Sequence, residues 1–287
     1  MKGRVILLVN PQKGHARKLG NDISEELLSM NIEADTFSIK EKLIISPDKK
    51  YSVAIVLGGD GTVLSAARAV SPHGIPIFPV NLGTFGFIAE VQPLEWRVVF
   101  DRWMAGKESV SRRLMLDVSV ERDGRKIFRE CGLNDVIVSS SGIAKIINLR
   151  LSYSEKKMKT EIKLGSYRSD GLIIATPTGS TAYSTAVGGP VVDPELEALI
   201  LSPICPFMLT NRPLVLPATG TVIVEVADEQ QSGIILTLDG QVKEKIKKGD
   251  RIYIEKAPYS CFLIASCRSG FYSALRKKLS WAGEGEV

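Results

Sequence analysis

Histidine is almost missing from this chain: only His15 and His73 occur, one in a loop and one beside a proline, and both read as surface residues. A histidine metal site or a Ser-His-Asp triad therefore has little material. The four cysteines, Cys131, Cys205, Cys261 and Cys267, show no CxxC spacing. They stand mostly in apolar surroundings, which predicts buried free thiols in a reducing compartment and argues against a structural disulfide. No apolar run reaches the length of a membrane span. Lys2 and Arg4 lead into a strand-like run that ends at Asn10-Pro11, so no signal pattern is present and a cytoplasmic protein is expected. There is no GxxxxGK[ST] loop and no GxGxxG after a strand, so neither a P-loop nor a standard dinucleotide fold is supported. Neither sign of charge dominates, because 37 Lys and Arg stand against 32 Asp and Glu. That mild excess suits anionic small substrates better than a nucleic-acid face, and Arg276-Lys277-Lys278 reads as the solvated side of a terminal helix.

What is present is ordinary soluble composition, 44% hydrophobic and 24% charged, over 287 residues, long enough for two domains with sizeable cores. The first part alternates apolar strands with amphipathic helices. Val5 to Val9 reads as a central strand, Leu19, Ile23, Leu27 and Leu28 as a helix face, Glu33 to Ile39 and Val53 to Leu57 as strands, Ile75 to Val80 as another, and Pro93 to Ala105 as a helix. This is the rhythm of a doubly wound α/β layer, in which ligands bind at the carboxyl ends of the strands. After Gly106 the runs shorten to strand formers, Leu116 to Val120, Lys126 to Cys131, Val136 to Ser139 and Ile146 to Leu151. Asp123-Gly124 and Asp239-Gly240 mark hairpins. The expected division is an α/β domain over 1–106 and a mostly-β domain over 107–269, with a helix in 270–287 packing back on the first.

Three stretches carry chemistry. Gly58-Gly59-Asp60-Gly61-Thr62 lies between a buried strand and a helix start, with Thr62 placed to cap the helix. Its glycines let backbone N–H groups approach phosphate oxygens, and Asp60 then needs a cation or a substrate hydroxyl beside it. A tight strand-to-helix turn with Asp60 as a cap is the alternative. Asn81 to Phe87 is a second turn at a strand end, where Phe87 packs either on a ligand ring or into the core. Asn134-Asp135 interrupts an apolar run, so these residues either meet a ligand or begin a hairpin. The densest signal is Asp170 to Ser184, a carboxylate, a buried strand and a hydroxyl-rich turn before a short helix from Ser180 to Val187, suited to the hydroxyls and phosphates of a nucleotide.

Gly58 to Thr62, Asn81 to Phe87, Asn134-Asp135, Asp170 to Ser184 and Asp239-Gly240-Gln241 together resemble the NAD kinase family in identity, order and spacing. The resemblance spans most of the chain, and the Asp170 to Ser184 block discriminates it from the diacylglycerol and sphingosine kinases that share the first cluster. It implies an α/β domain, a β domain, and a site between them that transfers the terminal phosphoryl of ATP, with magnesium or another divalent cation, to the 2′-hydroxyl of NAD's adenosine ribose. By that resemblance Asp60 is the proton acceptor or hydroxyl orienter, and Gly58, Gly59, Gly61 and Thr62 hold ATP phosphates. NAD is met by Asp60, Gly61, Phe87, Asn134, Asp135, Asp170, Thr178, Thr181, Ala182, Tyr183, Ser184, Thr185 and Ala186, with Lys145, Arg168 and Gln241 as further contacts. Some relatives carry glutamate where Asp135 stands, which changes reach by one methylene. The resemblance also implies a homodimer or homotetramer. A lipid kinase would need an amphipathic membrane-facing segment, and none is evident. A silent NAD(P)-binding regulator would have no need of Asp60.

Overall fold

The computed structural model describes residues 3–39, 45, 49–83, 86–142, 145–155, 160–208, 210–227 and 233–279. Lys2, Thr84 and Phe85 of the Asn81 to Phe87 stretch, and residues 280–287 of the expected terminal helix lie outside them. In chain order the elements are β1 (Arg4–Val9), α1 (Ala16–Ser29), β2 (Ala34–Ser38), β3 (Tyr51–Gly58), α2 (Asp60–Val70), β4 (Ile77–Asn81), α3 (Trp96–Met104) and β5 (Val110–Arg122). Then come β6 (Arg125–Gly132), β7 (Asp135–Ser140), β8 (Ile147–Glu155), β9 (Glu161–Ser169), β10 (Gly171–Ala175), α4 (Tyr183–Ala186), β11 (Ala198–Ile204), β12 (Leu214–Pro217) and β13 (Gly220–Val226). The chain closes with β14 (Ile234–Leu238), β15 (Val242–Ile246), β16 (Arg251–Ile264) and α5 (Arg268–Leu279). It divides into two compact units, residues 1–113 with 259–287, and residues 114–258. No helix among the described residues is long and apolar enough to cross a membrane.

The first unit is built on parallel strands in the order β2-β1-β3-β4, with Leu263 near the end of β16 beside Ile77 of β4. Val5, Ile6, Leu7 and Leu8 are all buried, so β1 is covered on both faces, which is why it reads as a continuous apolar run. Val5, Leu7 and Val9 face one core with Ala16, Ile23 and Leu27 of α1 and Trp96 and Phe100 of α3. Helix α2 packs on β3 and β4. The chain leaves β1 through α1 toward β2 and then returns to the opposite side of β1 as β3. The strand order therefore reverses between β1 and β3, the point at which an open α/β sheet leaves a crevice at its carboxyl edge.

The second unit is antiparallel. One sheet runs β12-β11-β10-β7-β14-β15; the other joins β9, β8, β13 and the first part of β16, and β5 and β6 form a hairpin. Leu172 and Ile174 of β10 join Leu116, Val136, Leu149, Val222 and Leu236 in the main core, while Ile173 and Ala175 face a second cluster with Val192 and Ile200. Burial on both faces explains the unbroken apolar run of β10. The two Asp-Gly pairs turn as expected: Asp123 and Gly124 have φ 51° and 72°, Asp239 and Gly240 50° and 66°, the twin positive φ of a type I′ hairpin.

Three expectations need correction. All four thiols are free, but only Cys261 is buried; Cys131 and Cys267 are half-buried and Cys205 is exposed, because Cys131 stands on β6, which among the described residues pairs only with β5, and Cys205 follows the end of β11 at a positive φ of 44°. The helix expected from Ser180 to Val187 is instead a 3-10 turn at Thr178–Thr181 followed by the single turn of α4. The break is Ala182, whose ψ of −132° lies outside the helical region. Thr62 does not cap α2. The helix starts two residues earlier, with extended Gly59 as its cap, which puts Thr62 inside the first turn.

Candidate active site

The carboxyl ends of β1 and β3 bring Asn10 to Thr62 in the first unit: the Asn10 side-chain amide donates to Thr62 Oγ1 at 3.2 Å, and the Asn10 amide donates to the Leu57 carbonyl at 3.1 Å. Gly58 is pressed against the Thr62 side chain, whereas a Cβ at Gly59 would meet nothing within 4 Å. Gly61 is exposed. The open side of the cluster is thus the N-terminal turn of α2, where helix N–H groups point outward and the dipole favours an anion.

Asp60 is held from the other side. Its Oδ2 accepts the amide of Phe87 at 2.9 Å, and its Oδ1 accepts those of Ile88 at 3.3 Å and Ala89 at 3.1 Å. Gly86 is required here, since any Cβ would overlap the carboxylate. A carboxylate has about four lone-pair directions, so three amides fix its orientation and leave about one direction for an incoming hydroxyl. Phe87 is anchored in the unit: its ring centroid lies 6.2 Å from that of Phe271, and Lys278 Nζ sits 4.7 Å from it. Beside the Asn81 to Gly83 turn lies a cavity of about 550 Å3 whose lining includes Lys13, His15, Lys18 and one carboxylate, Asp22. Lys13 and Lys18 had no motif to mark them; the only sequence signal was the turn-rich loop after β1.

In the second unit the antiparallel pairing of β10, β7 and β14 gathers Thr176 to Thr181, Asn134-Asp135 and Asp239 at one sheet end, because Ala175 is opposite Asp135 and Leu238 opposite Val136. Asp239 accepts the amides of Leu133 at 3.1 Å, Asn134 at 2.8 Å and Asp135 at 3.3 Å. Thr176 Oγ1 donates to the Leu133 carbonyl at 2.6 Å and accepts the Gly179 amide at 3.1 Å. Gly179 lies so close to Asn134 that a Cβ would overlap its carbonyl. The backbone around Asn134 is therefore clamped from both sides. At this sheet end two buried oxygens have no partner among the described residues, Asn134 Oδ1 and Thr178 Oγ1, and such atoms demand a ligand or water. Burial, and then the charge of Asp239, pushes the Asp135 carboxyl up to about 7.

The other hydroxyls of the turn are used internally. Ser180 Oγ donates to the Pro177 carbonyl at 2.7 Å and accepts the Val192 amide at 3.0 Å, Ser184 and Ser202 share a hydrogen bond of 2.9 Å, Thr181 donates to the Thr178 carbonyl at 3.3 Å, and Thr185 to that of Ser180. Ala182 is half-buried, and Tyr183 and Ala186 are exposed beside them. Gln241 is exposed on the Asp239-Gly240 turn. Asp170 and Arg168 are not brought to this end: β10 separates Asp170 from Thr176, a span on the order of 20 Å at the usual strand rise. Arg168 instead lies over the Phe207 ring, 4.9 Å from its centroid, and pairs across the strands with Asn148, close in sequence to the exposed Lys145. Among the described residues no group of three or more His, Cys, Asp or Glu side chains could hold a metal ion.

Two family models match the chain, the ATP-NAD kinase N-terminal domain over residues 6–108 and the ATP-NAD kinase C-terminal domain over residues 133–266. An NAD kinase of Treponema denticola is 40% identical over 282 residues, 98% of this chain and 97% of that one. Among solved structures, an NAD kinase from Archaeoglobus fulgidus in complex with ATP aligns with TM-score 0.72 at 27% identity, over 94% of this chain and 96% of that one. Yeast NADH kinase complexed with NADH aligns with TM-score 0.85 at 19% identity, over 100% and 90%, a likeness of fold.

Proposed function

The chain belongs to the NAD kinase family, and from that premise we infer that it transfers the γ-phosphoryl group of ATP to the 2′-hydroxyl of the adenosine ribose of NAD, giving NADP and ADP. In the proposed step Asp60 accepts or orients the hydroxyl proton, the ribose oxygen bonds to the γ-phosphorus, and the bond from that phosphorus to the bridging oxygen breaks as ADP leaves. Phosphoryl transfer of this kind needs positioning and charge neutralisation more than covalent chemistry. The observation that carries the assignment is Asp60 itself, a carboxylate oriented by three amides at the switch point of the first sheet, beside an open helix N-terminus.

Gly58, Gly59, Gly61 and Thr62 cradle the donor phosphates in this reading. Asn134, Asp135, Thr178, Thr181, Ala182, Tyr183, Ser184, Thr185, Ala186 and Gln241 meet NAD in this reading; Gly61, Phe87, Lys145, Arg168 and Asp170 are NAD contacts by the family resemblance alone, with Arg168 and Asp170 at the far end of β10 from Thr176. The orphaned Asn134 Oδ1 and Thr178 Oγ1 support the placement. With no three-residue ligand cluster among the described residues, a divalent cation fits as a passenger on the ATP phosphates, where it neutralises their charge. A cytoplasmic setting is supported by the four free thiols. A homodimer or homotetramer comes from the family resemblance, and light scattering tests it.

The test is NADP formation from NAD, ATP and magnesium, read through an NADP-specific dehydrogenase, with Asp60→Asn alongside. We expect turnover by the wild type and a loss of about 100-fold or more in the variant, the scale of a positioned general base. Undiminished turnover in Asp60→Asn removes the role assigned to that carboxylate, and bound NAD without product makes the protein a regulator instead.

A further inference from the structure

The amides that hold Asp60 come from a turn that is itself fastened at its far end. Residue 90 closes that turn: Val91 bridges back to Val80, and the Asn81 amide donates to the Val91 carbonyl at 2.8 Å. Glu90 Oε1 accepts the hydroxyl of Ser266 at 3.0 Å, and Ser266 Oγ in turn accepts Nη2 of Arg113 at 2.8 Å. Arg113 and Ser266 are each only 1% exposed, a burial that guanidinium and hydroxyl groups tolerate only when bonded. The Glu90 carboxylate also lies against the backbone of α5, where a side chain at Gly270 would overlap it. At the other end of the same turn Phe87 is pinned by Phe271 of α5. Burial pushes the Glu90 carboxyl above its ordinary range, Ser266 and Arg113 pull it back, and the charge of Asp60 adds to the upward push, which places the two carboxylates within electrostatic reach.

We propose that Glu90 is a positioning residue for phosphoryl transfer: through Ser266 and Arg113 it fixes the Phe87 to Ala89 amides and, through them, the orientation of the Asp60 carboxylate. The proposal rests on the catalytic assignment of Asp60. The Glu90 carboxylate is half-buried and engaged by Ser266 and the α5 backbone, and one acceptor bond from Ser266 does not require its charge. What it supplies is registration of a short turn, and small displacements of a catalytic group cost up to about 100-fold in rate.

The experiment compares wild type, Glu90→Ala, Glu90→Gln, Ser266→Ala, Asp60→Asn and the Glu90→Ala/Asp60→Asn double variant in steady-state NADP formation, with rates normalised to folded protein by circular dichroism. Glu90→Ala is expected to lower kcat by about 10- to 100-fold with the KM for NAD changed less than about three-fold. Glu90→Gln, whose amide oxygen still accepts from Ser266, is expected to recover most of that loss, and Ser266→Ala to fall on the same side as Glu90→Ala. In the Asp60→Asn background, removing Glu90 is expected to change kcat little, because nothing remains to be positioned. If Asp60→Asn is inactive while Glu90→Ala and Ser266→Ala keep wild-type kcat, or if the two losses multiply in the double variant, the positioning role is overturned and Asp60 stands. If Asp60→Asn keeps full turnover, it is the catalytic assignment that fails. Should Glu90→Ala not fold, Ser266→Ala and Glu90→Gln decide the outcome alone.

Discussion

Replacing Asp239 by asparagine tests how much of the sheet end around Asn134 hangs on one carboxylate. Asp239 has a φ of 50°, which asparagine tolerates, so backbone strain does not enter. With the amide oxygen in the place of Oδ1, the bonds from Asn134 and Asp135 survive as neutral ones, while the Leu133 amide now faces an NH2 group. One orphaned buried donor costs about 1–3 kcal/mol, and lost charge assistance roughly 1 kcal/mol more, so a loss of about 2–4 kcal/mol is expected. Part of it is offset where Asp135 is ionised, because the substitution removes the repulsion that helps push that carboxyl up to about 7. The destabilisation should therefore be larger at pH 5 than at pH 8. Urea unfolding followed by circular dichroism at both pH values measures it, and hydrogen exchange at the Leu133 amide locates it. Stability within about 0.5 kcal/mol of wild type at both pH values, with the Leu133 amide still protected, would show that the Asp239 carboxylate does not hold these amides.

Asp135→Asn should alter the pH dependence of stability. The wild-type carboxyl is raised to about 7, so its contribution is present below about 4 and is lost as pH rises through 7; the variant should lack that decline in urea titrations across this range. Asp35 behaves in the opposite sense: its bonds to Arg4 first, then Tyr51 and Lys49, hold its carboxyl well below the usual range. Its stabilisation is present in full above about 4 and is lost progressively as pH falls from there through the lowered folded value, and Asp35→Asn should flatten the acid limb of the unfolding curve. Arg122→Met should cost about 3 kcal/mol in urea unfolding, the low end for breaking a buried pair because the Arg122 side chain is itself part-exposed, since Asp250, fully buried and held bidentately by Arg122 at 2.8 and 2.7 Å, keeps only the Lys247 amide among the described residues.

The parallel strands of the first unit were legible because burial on both faces writes itself as an uninterrupted apolar run, as in Val5 to Val9, and the two Asp-Gly pairs named their hairpins through the conformation they favour. Asp60 was visible because a carboxylate among glycines is unusual between a strand and a helix. What was hidden acts through partners far away in sequence. Glu90 works through Ser266, 176 residues on, and Asp239 through amides more than 100 residues earlier, and no local pattern records such pairings. The short helix expected after Gly179 failed for a related reason. Its serines and threonines bond to nearby backbone, so a hydroxyl-rich stretch that resembled a capped helix folded into two tight turns.

The first unit is assembled from both ends of the chain, with residues 259–287 joining 1–113 around an inserted second unit. During synthesis the second unit is therefore complete as soon as residue 258 is free to fold, whereas the first still lacks Leu263 beside Ile77, Ser266 against Glu90, and Phe271 against Phe87. Since domains tend to fold as they emerge, the turn that orients Asp60 is among the last parts to be secured. The order of translation thus delays the final geometry of the Asp60 carboxylate until the segment beyond residue 258 has emerged.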